Sequence, residues 1–128
     1  MKILIDTHVF LWRMREPERL TRAVTALIED HENTLLVSPA SYLETAIKAS
    51  LGHLVFPDGF VAFWEAGLVG GGFGVLPFEL DHAERLSTLP LHHRDPFDRM
   101  LVAQTLVEQV PLVSRDTQLD AYGVDRRW

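Results

Sequence analysis

Four short apolar runs punctuate the chain, at Lys2–Ile5, Thr34–Val37, Phe73–Leu76 and Pro111–Val113. Each is nearly continuous rather than alternating, the pattern of a strand covered on both faces. A weaker fifth strand is expected near Gly123–Asp125. Between these runs the apolar positions recur at helical spacing. That spacing predicts helices over His8–Arg15, Thr21–His31, Pro39–Ser50, Asp58–Ala66, Glu79–Ser87 and Pro96–Glu108. Strand–helix alternation of this kind predicts an α/β domain, a central parallel sheet of about five strands wrapped by helices.

In such a sheet the residues that follow each strand gather at one edge, the carboxyl end, where open α/β sheets place their sites. Ile5 is followed by Asp6-Thr7, Val37 by Ser38-Pro39, and Val113 by Ser114-Arg115-Asp116. Ser38 ahead of Pro39 reads as a helix N-cap. Asp6 and Asp116 are open to the same reading, and also to one as site carboxylates.

Glu44 resists a capping explanation, because with Ser38 as cap it falls in the second turn. On a helical wheel the apolar arc of residues 39–51 centres on Leu43, Ile47 and Leu51, with Glu44 inside its margin. The competing explanation is an i,i+4 surface pair with Lys48. Further on, HHRDPFDRMLVAQTLVEQ opens polar and then becomes a nearly apolar helix. Asp95 suits an N-cap, Pro96 the first helical position, and Asp98 the third, where an acid complements the helix dipole. The arc through Met100, Val102, Ala103, Leu106 and Val107 passes beside Asp98, which should therefore point along the sheet edge.

Composition narrows the chemistry. The 128 residues suit one domain, 1–128. Cysteine is absent, which excludes disulfides and thiolate metal sites and agrees with a reducing, cytoplasmic setting. The start, MKILIDTHVFLW, is interrupted by Asp6, so no signal-peptide core is expected. The run VAFWEAGLVGGGFGVLPF is broken by Glu65, glycines and Pro77, so neither a membrane span nor a membrane partner is expected. A net charge of −6 argues against a passive nucleic-acid-binding module. It leaves room for an enzyme whose acids surround a cation.

Asp6, Glu44, Asp98 and Asp116 make up the candidate constellation. Carboxylates converging on one edge repel each other, and a cation relieves that repulsion. Hard oxygen donors without thiolates point to Mg²⁺, with Mn²⁺ as the alternative. Such a cluster suits ions that activate a water and steady an in-line phosphoryl displacement. Thr7 and Ser114, next to or near acids of the set, are candidates to orient a ligand or that water. Arg94, Arg99 and Arg115 each neighbour an acid of the site or its close pair. Their two readings are local charge balance and a grip on a substrate phosphate. Jointly these residues favour metal-dependent phosphodiester hydrolysis.

The segments ILIDTHVFLW, VSPASYLETAIK, LPLHHRDPFDRMLVAQ and LVSRDTQLDAYGV resemble the successive motifs of the PIN-domain family, in particular the VapC-type toxins of bacterial toxin–antitoxin pairs. The resemblance runs almost end to end. It implies a PIN fold and a Mg²⁺-dependent endoribonuclease whose acids match Asp6, Glu44, Asp98 and Asp116. It also implies a homodimer, and silencing by a cognate antitoxin whose C-terminal segment covers the site. The family pattern sets an acid two residues before an apolar pair, here Met100-Leu101, which favours Asp98 over Asp95. Asp116 is preferred to Asp120 because it stands at the strand end.

Other features fit less well. His92-His93 lack the spacing of a zinc-binding pair on one helix face and suit an exposed loop. Gly70–Gly74 is followed by no Gly-Lys-Ser/Thr and reads as a loop before a strand. Phe60, Phe63 and Trp64 suit core or dimer packing, or a groove for an antitoxin. A haloacid-type phosphatase wants a second acid two residues after Asp6, where His8 stands. A receiver domain wants a lysine after a late strand, and the only lysines are Lys2 and Lys48. A metal-binding interaction module would leave RNA uncut.

Overall fold

Ile3, Leu4 and Ile5 have no exposed surface, because their strand lies in the middle of the sheet. In the computed structural model, which describes all 128 residues, the strands are β1 (Lys2–Ile5), β2 (Thr34–Val37), β3 (Gly74–Val75), β4 (Leu112–Val113) and β5 (Arg126–Arg127). They form one sheet in the order β3-β2-β1-β4-β5. Every neighbouring pair is parallel, with Leu4 set beside both Leu36 and Leu112. All carboxyl ends therefore share one edge.

The helices are α1 (Thr7–Arg15), α2 (Arg22–Glu29), α3 (Pro39–Ser50), α4 (Phe60–Glu65), α5 (Leu80–Ser87) and α6 (Pro96–Glu108). Side chains alternate across the sheet, as the two-residue period of a strand demands. Ile3 and Ile5 join Val9, Phe10, Val24 and Trp64 in one apolar cluster. Leu4 joins Leu101, Val102, Leu112 and Leu119 in the other. Caps begin three helices where the sequence suggests them: Asp6, Ser38 and Asp95 each accept a backbone N–H of the turn they open, and Thr21, expected inside α2, caps it instead. No helix is long and apolar enough to cross a membrane.

Trp64 and Phe10 stack with centroids 4.4 Å apart, and the indole N–H donates to Thr45 Oγ1 at 3.2 Å. Phe60 and Phe63 pack against the same cluster, as expected of core residues. Beyond α4 a π-helical turn, Ala66–Gly70, brings Gly67 so close to Phe10 that a Cβ there would lie 2.5 Å from Phe10 Cζ. The glycine-rich stretch that follows is a loop entering β3, as its sequence indicates.

Three expectations are corrected. The last strand lies at Arg126–Arg127 rather than Gly123–Asp125, because Gly123 takes a left-handed φ of 74° and ends a short 3-10 helix, Thr117–Tyr122. Helix α4 begins at Phe60, not Asp58, since Gly59 has a φ of 101°. The third concerns the face of α3. Leu43, Ile47 and Leu51, the expected inner stripe, are 52%, 48% and 63% exposed, while Ala40, Ser41, Glu44 and Thr45 are buried. The helix is rotated from the orientation that its apolar arc suggests.

Candidate metal centre

That rotation carries Glu44 inward, to 2% exposure, and one of its carboxylate oxygens with it. Oε2 meets Lys48 Nζ at 2.7 Å, whereas Oε1 is buried with no hydrogen-bond partner. The i,i+4 pair with Lys48 therefore exists, but not as a surface pair. A buried carboxylate oxygen left unpartnered is costly unless a ligand completes it.

Asp6 follows β1 and caps α1, its Oδ1 accepting His8 N–H at 3.3 Å. Its other oxygen accepts the Ser114 hydroxyl from the end of β4, and Ser114 Oγ in turn accepts the backbone N–H of Asp116 at 3.1 Å. Ser114 thus couples two of the acids across adjacent strands. Burial pushes the Asp6 carboxyl above the ordinary carboxylate value, with the Ser114 hydrogen bond and nearby His8 opposing it.

Asp98 stands in the first turn of α6 and is freed for the cleft by Asp95, whose Oδ1 accepts Phe97 N–H at 2.8 Å and Asp98 N–H at 3.3 Å. Its pKa is pushed up to about 8, first by burial and then by the negative charges of Asp6, Asp95, Glu44 and Asp116. The four expected acids thus share one electrostatic neighbourhood. Asp98 and Asp116 also come together with His93, whose Nε2 lies 3.4 Å from Asp98 Oδ2 and 2.9 Å from Asp116 Oδ2. These three groups are close enough to share an ion. Asp120, the rival of Asp116, points away into a two-bond pair with Arg126 at 2.7 and 3.0 Å.

An open cleft of about 420 Å³ lies over the acids, lined by Asp6, His8, Trp12, Asp98, Arg115, Asp116 and Thr117. His8 and Trp12 sit one turn apart on α1, so the face that follows Asp6 continues as a wall of the cleft. The i,i+4 spacing of His8 and Trp12 after Asp6 was the available signal for them. For His93 the signal is only its place beside Asp95, because a loop residue's direction is set by the fold. Of the arginines, exposed Arg115 lines the cleft and Arg94 is exposed on the loop before α6. Arg99, one of the three arginines expected to grip phosphate, is engaged elsewhere. It donates to the carbonyls of Leu89 and Pro90 at 3.3 and 2.9 Å and to Tyr122 Oη at 3.1 Å. Its planar fork matches those converging oxygens, and phosphate would have to displace them. Thr7 also departs from expectation: it is buried and bonded to Ser41 Oγ at 2.7 Å, tying α1 to α3. His93 is the opposite correction, since it joins the acids rather than standing in an exposed loop.

The donor set suits a divalent cation: carboxylates only partly neutralised, one buried oxygen unpartnered, and an aspartate whose pKa is pushed up to about 8 by burial and neighbouring acids.

A five-stranded parallel sheet with acids gathered at its carboxyl edge is the architecture these residues build. The PIN domain family model matches residues 3–125, and the chain belongs to that family. No curated protein sequence matches significantly. Among solved structures, the fold is similar to DNA-bound VapBC from Salmonella typhimurium (TM-score 0.76, 13% identity, covering 99% of this chain and 97% of that one). It is also similar to VapBC2 from Rickettsia felis bound to a DNA fragment from its promoter (TM-score 0.74, 10% identity, 99% and 98%). A third likeness is to VapBC-1 from nontypeable Haemophilus influenzae (TM-score 0.67, 15% identity, 99% and 97%).

Proposed function

We propose that this chain is a Mg²⁺-dependent endoribonuclease, the VapC-type toxin of a toxin–antitoxin pair acting on cytoplasmic RNA. The observation that carries the reading is the unpartnered, buried Oε1 of Glu44 in the same neighbourhood as Asp98, Asp6 and Asp116. Those acids would hold Mg²⁺, or Mn²⁺ in its place. When bound, the ion supplies a Lewis acid that favours a water nucleophile and stabilises charge on a phosphodiester.

The chain's own residues supply the rest. Asp6 is held in place by Ser114, and Asp116 by the Ser114 and Gln118 contacts of its turn. Arg115, free of hydrogen bonds to the protein and lining the cleft, is placed to neutralise phosphate, with Arg94 next on the loop. Trp12, the cleft's one apolar wall, gives an unpaired base a surface to stack on. The negative charge of the site opposes RNA until a cation is bound, which accommodates the net charge of −6.

An antitoxin partner is supported by the likeness to VapBC toxin–antitoxin structures. A homodimer is supported by the exposed apolar row Leu43, Ile47 and Leu51, which a second copy would cover.

The test is cleavage of single-stranded RNA by purified protein with Mg²⁺, with EDTA, and with Asp6→Asn as control. Cutting in Mg²⁺ that EDTA and the variant both abolish is expected. Undiminished cutting after thorough chelation would remove the metal chemistry, and binding of metal without any cutting would make the chain an interaction module.

A further inference from the structure

His93 touches two of the proposed ligands, and the hydrogen bonds around it decide what kind of contact that is. Its Nδ1 accepts the backbone N–H of Asp95 at 3.0 Å. A ring nitrogen that accepts an N–H carries no proton, so the neutral ring keeps its proton on Nε2. That N–H faces Asp116 Oδ2 at 2.9 Å, with Asp98 Oδ2 next at 3.4 Å. Ligation of a cation through Nε2 would require the proton to move to Nδ1, where the Asp95 N–H already stands. The ring is built as a donor.

Its surroundings hold it there. The backbone N–H groups of His92 and His93 both donate to Tyr122 Oη, at 3.1 and 2.9 Å. Arg99 bonds the same hydroxyl and the Pro90 carbonyl, which ties the loop before α6 to the short 3-10 helix that Asp116 caps. Asp116 Oδ1 accepts Gln118 N–H at 2.9 Å, so Oδ2 is the oxygen that His93 steers. Each carboxylate oxygen has two lone pairs, and one donated bond leaves capacity for a cation.

We infer that His93 is a positioning residue, donating its Nε2–H to Asp116 and thereby fixing the carboxylate pair Asp98–Asp116 in the orientation that receives the cation. The inference rests on the metal centre proposed above and adds a role for a residue outside its ligand set. With the imidazole acting as donor, the residues that would hold the cation offer oxygen alone, the donor type that suits Mg²⁺ and Mn²⁺.

The experiment is Mn²⁺ binding to the free protein, followed by electron paramagnetic resonance without RNA. It uses wild type, His93→Gln, His93→Ala and His93→Leu, with circular dichroism to confirm that each is folded. Glutamine presents an amide N–H near the position of Nε2 but no imidazole, and leucine fills the space of the ring without a donor. Wild type and His93→Gln should bind within about threefold of each other, with His93→Ala and His93→Leu about 10–100-fold weaker. Affinity equal to wild type in both donor-free variants would overturn the role of His93 while leaving the metal centre standing. Nitrogen coupling in the wild-type Mn²⁺ signal, with His93→Gln as weak as alanine, would overturn it in favour of direct ligation. Failure of wild type itself to bind would overturn the metal centre and this inference together.

Discussion

Asp95 accepts the backbone N–H of Asp98 at 3.3 Å, so that one acid starts α6 while the next, three residues on, turns toward the cleft. The division of labour rests on reach. A cap must precede the helix to meet its free N–H groups, and a carboxylate three residues past the cap is released from that duty.

Exchanging each acid for its amide separates the two roles. Asp98 binds a proton in the fold that the unfolded chain has released, between its ordinary value of 3.8 and about 8. Its contribution to metal-free stability is therefore intact below the lower value and declines as pH rises through that window. Asp98→Asn should remove this decline, apart from what the raised Asp6 contributes, and leave the protein more stable than wild type at pH 8 without metal. Cleavage should vanish, and stabilisation by Mg²⁺ should shrink. Asp95→Asn should change stability by no more than a few tenths of a kcal/mol, since Asn caps about as well. Thermal melts from pH 4 to 9, with and without Mg²⁺, read both; a variant of Asp98 that is less stable at pH 8 yet cuts RNA would reverse the assignment.

Ser114 should prove structural and functional at once. Ser114→Ala leaves a buried oxygen of Asp6 and the N–H of Asp116 without their partner, a loss of about 1–3 kcal/mol. Urea unfolding gives the stability, and Mn²⁺ titration should show weaker binding. Unchanged values for both would mean that water replaces the hydroxyl.

The arginines should separate by stability. Arg99→Ala frees the Leu89 and Pro90 carbonyls and Tyr122 Oη, and should cost about 1–3 kcal/mol in denaturant unfolding. Arg115→Ala should stay within about 0.5 kcal/mol of wild type. Its effect belongs in a raised KM for RNA and a salt dependence shallower by about one unit. If Arg99→Ala instead weakens RNA binding at full stability, the phosphate contact returns to it.

The exposed row on α3 predicts a change of oligomeric state. Ile47→Glu places a charge in the middle of Leu43, Ile47 and Leu51 without entering the core. Light scattering coupled to size exclusion should report a dimer for wild type and a monomer for the variant, with monomer unfolding little altered. A variant that elutes and scatters as wild type would place the second copy elsewhere.

Much of this protein was legible in its sequence where local rules act alone. The capping residues Asp6, Ser38 and Asp95 and the spans of β1, β2, α3 and α6 follow from groups within a few residues of one another. Strand alternation then fixed which edge carries Asp6 and Asp116, because every strand end of a parallel sheet faces the same way.

Contacts distant along the chain decided the rest. Periodicity reports that α3 has an apolar stripe, but not whether the sheet or another molecule covers it. Trp64 bonded to Thr45, and Ser41 bonded to Thr7, turn the polar face inward and take Glu44 with it. Arg99 looks free beside an acid until the loop at Leu89–Pro90 and Tyr122 close around it. His93 meets the Asp95 N–H locally, but Tyr122 and Asp116, which complete its setting, reach it only once the last 3-10 helix is docked. The sequence by itself determined which groups carry charge and which local structure they begin; the tertiary structure alone decided which way those groups face, since that depends on partners far away in the chain.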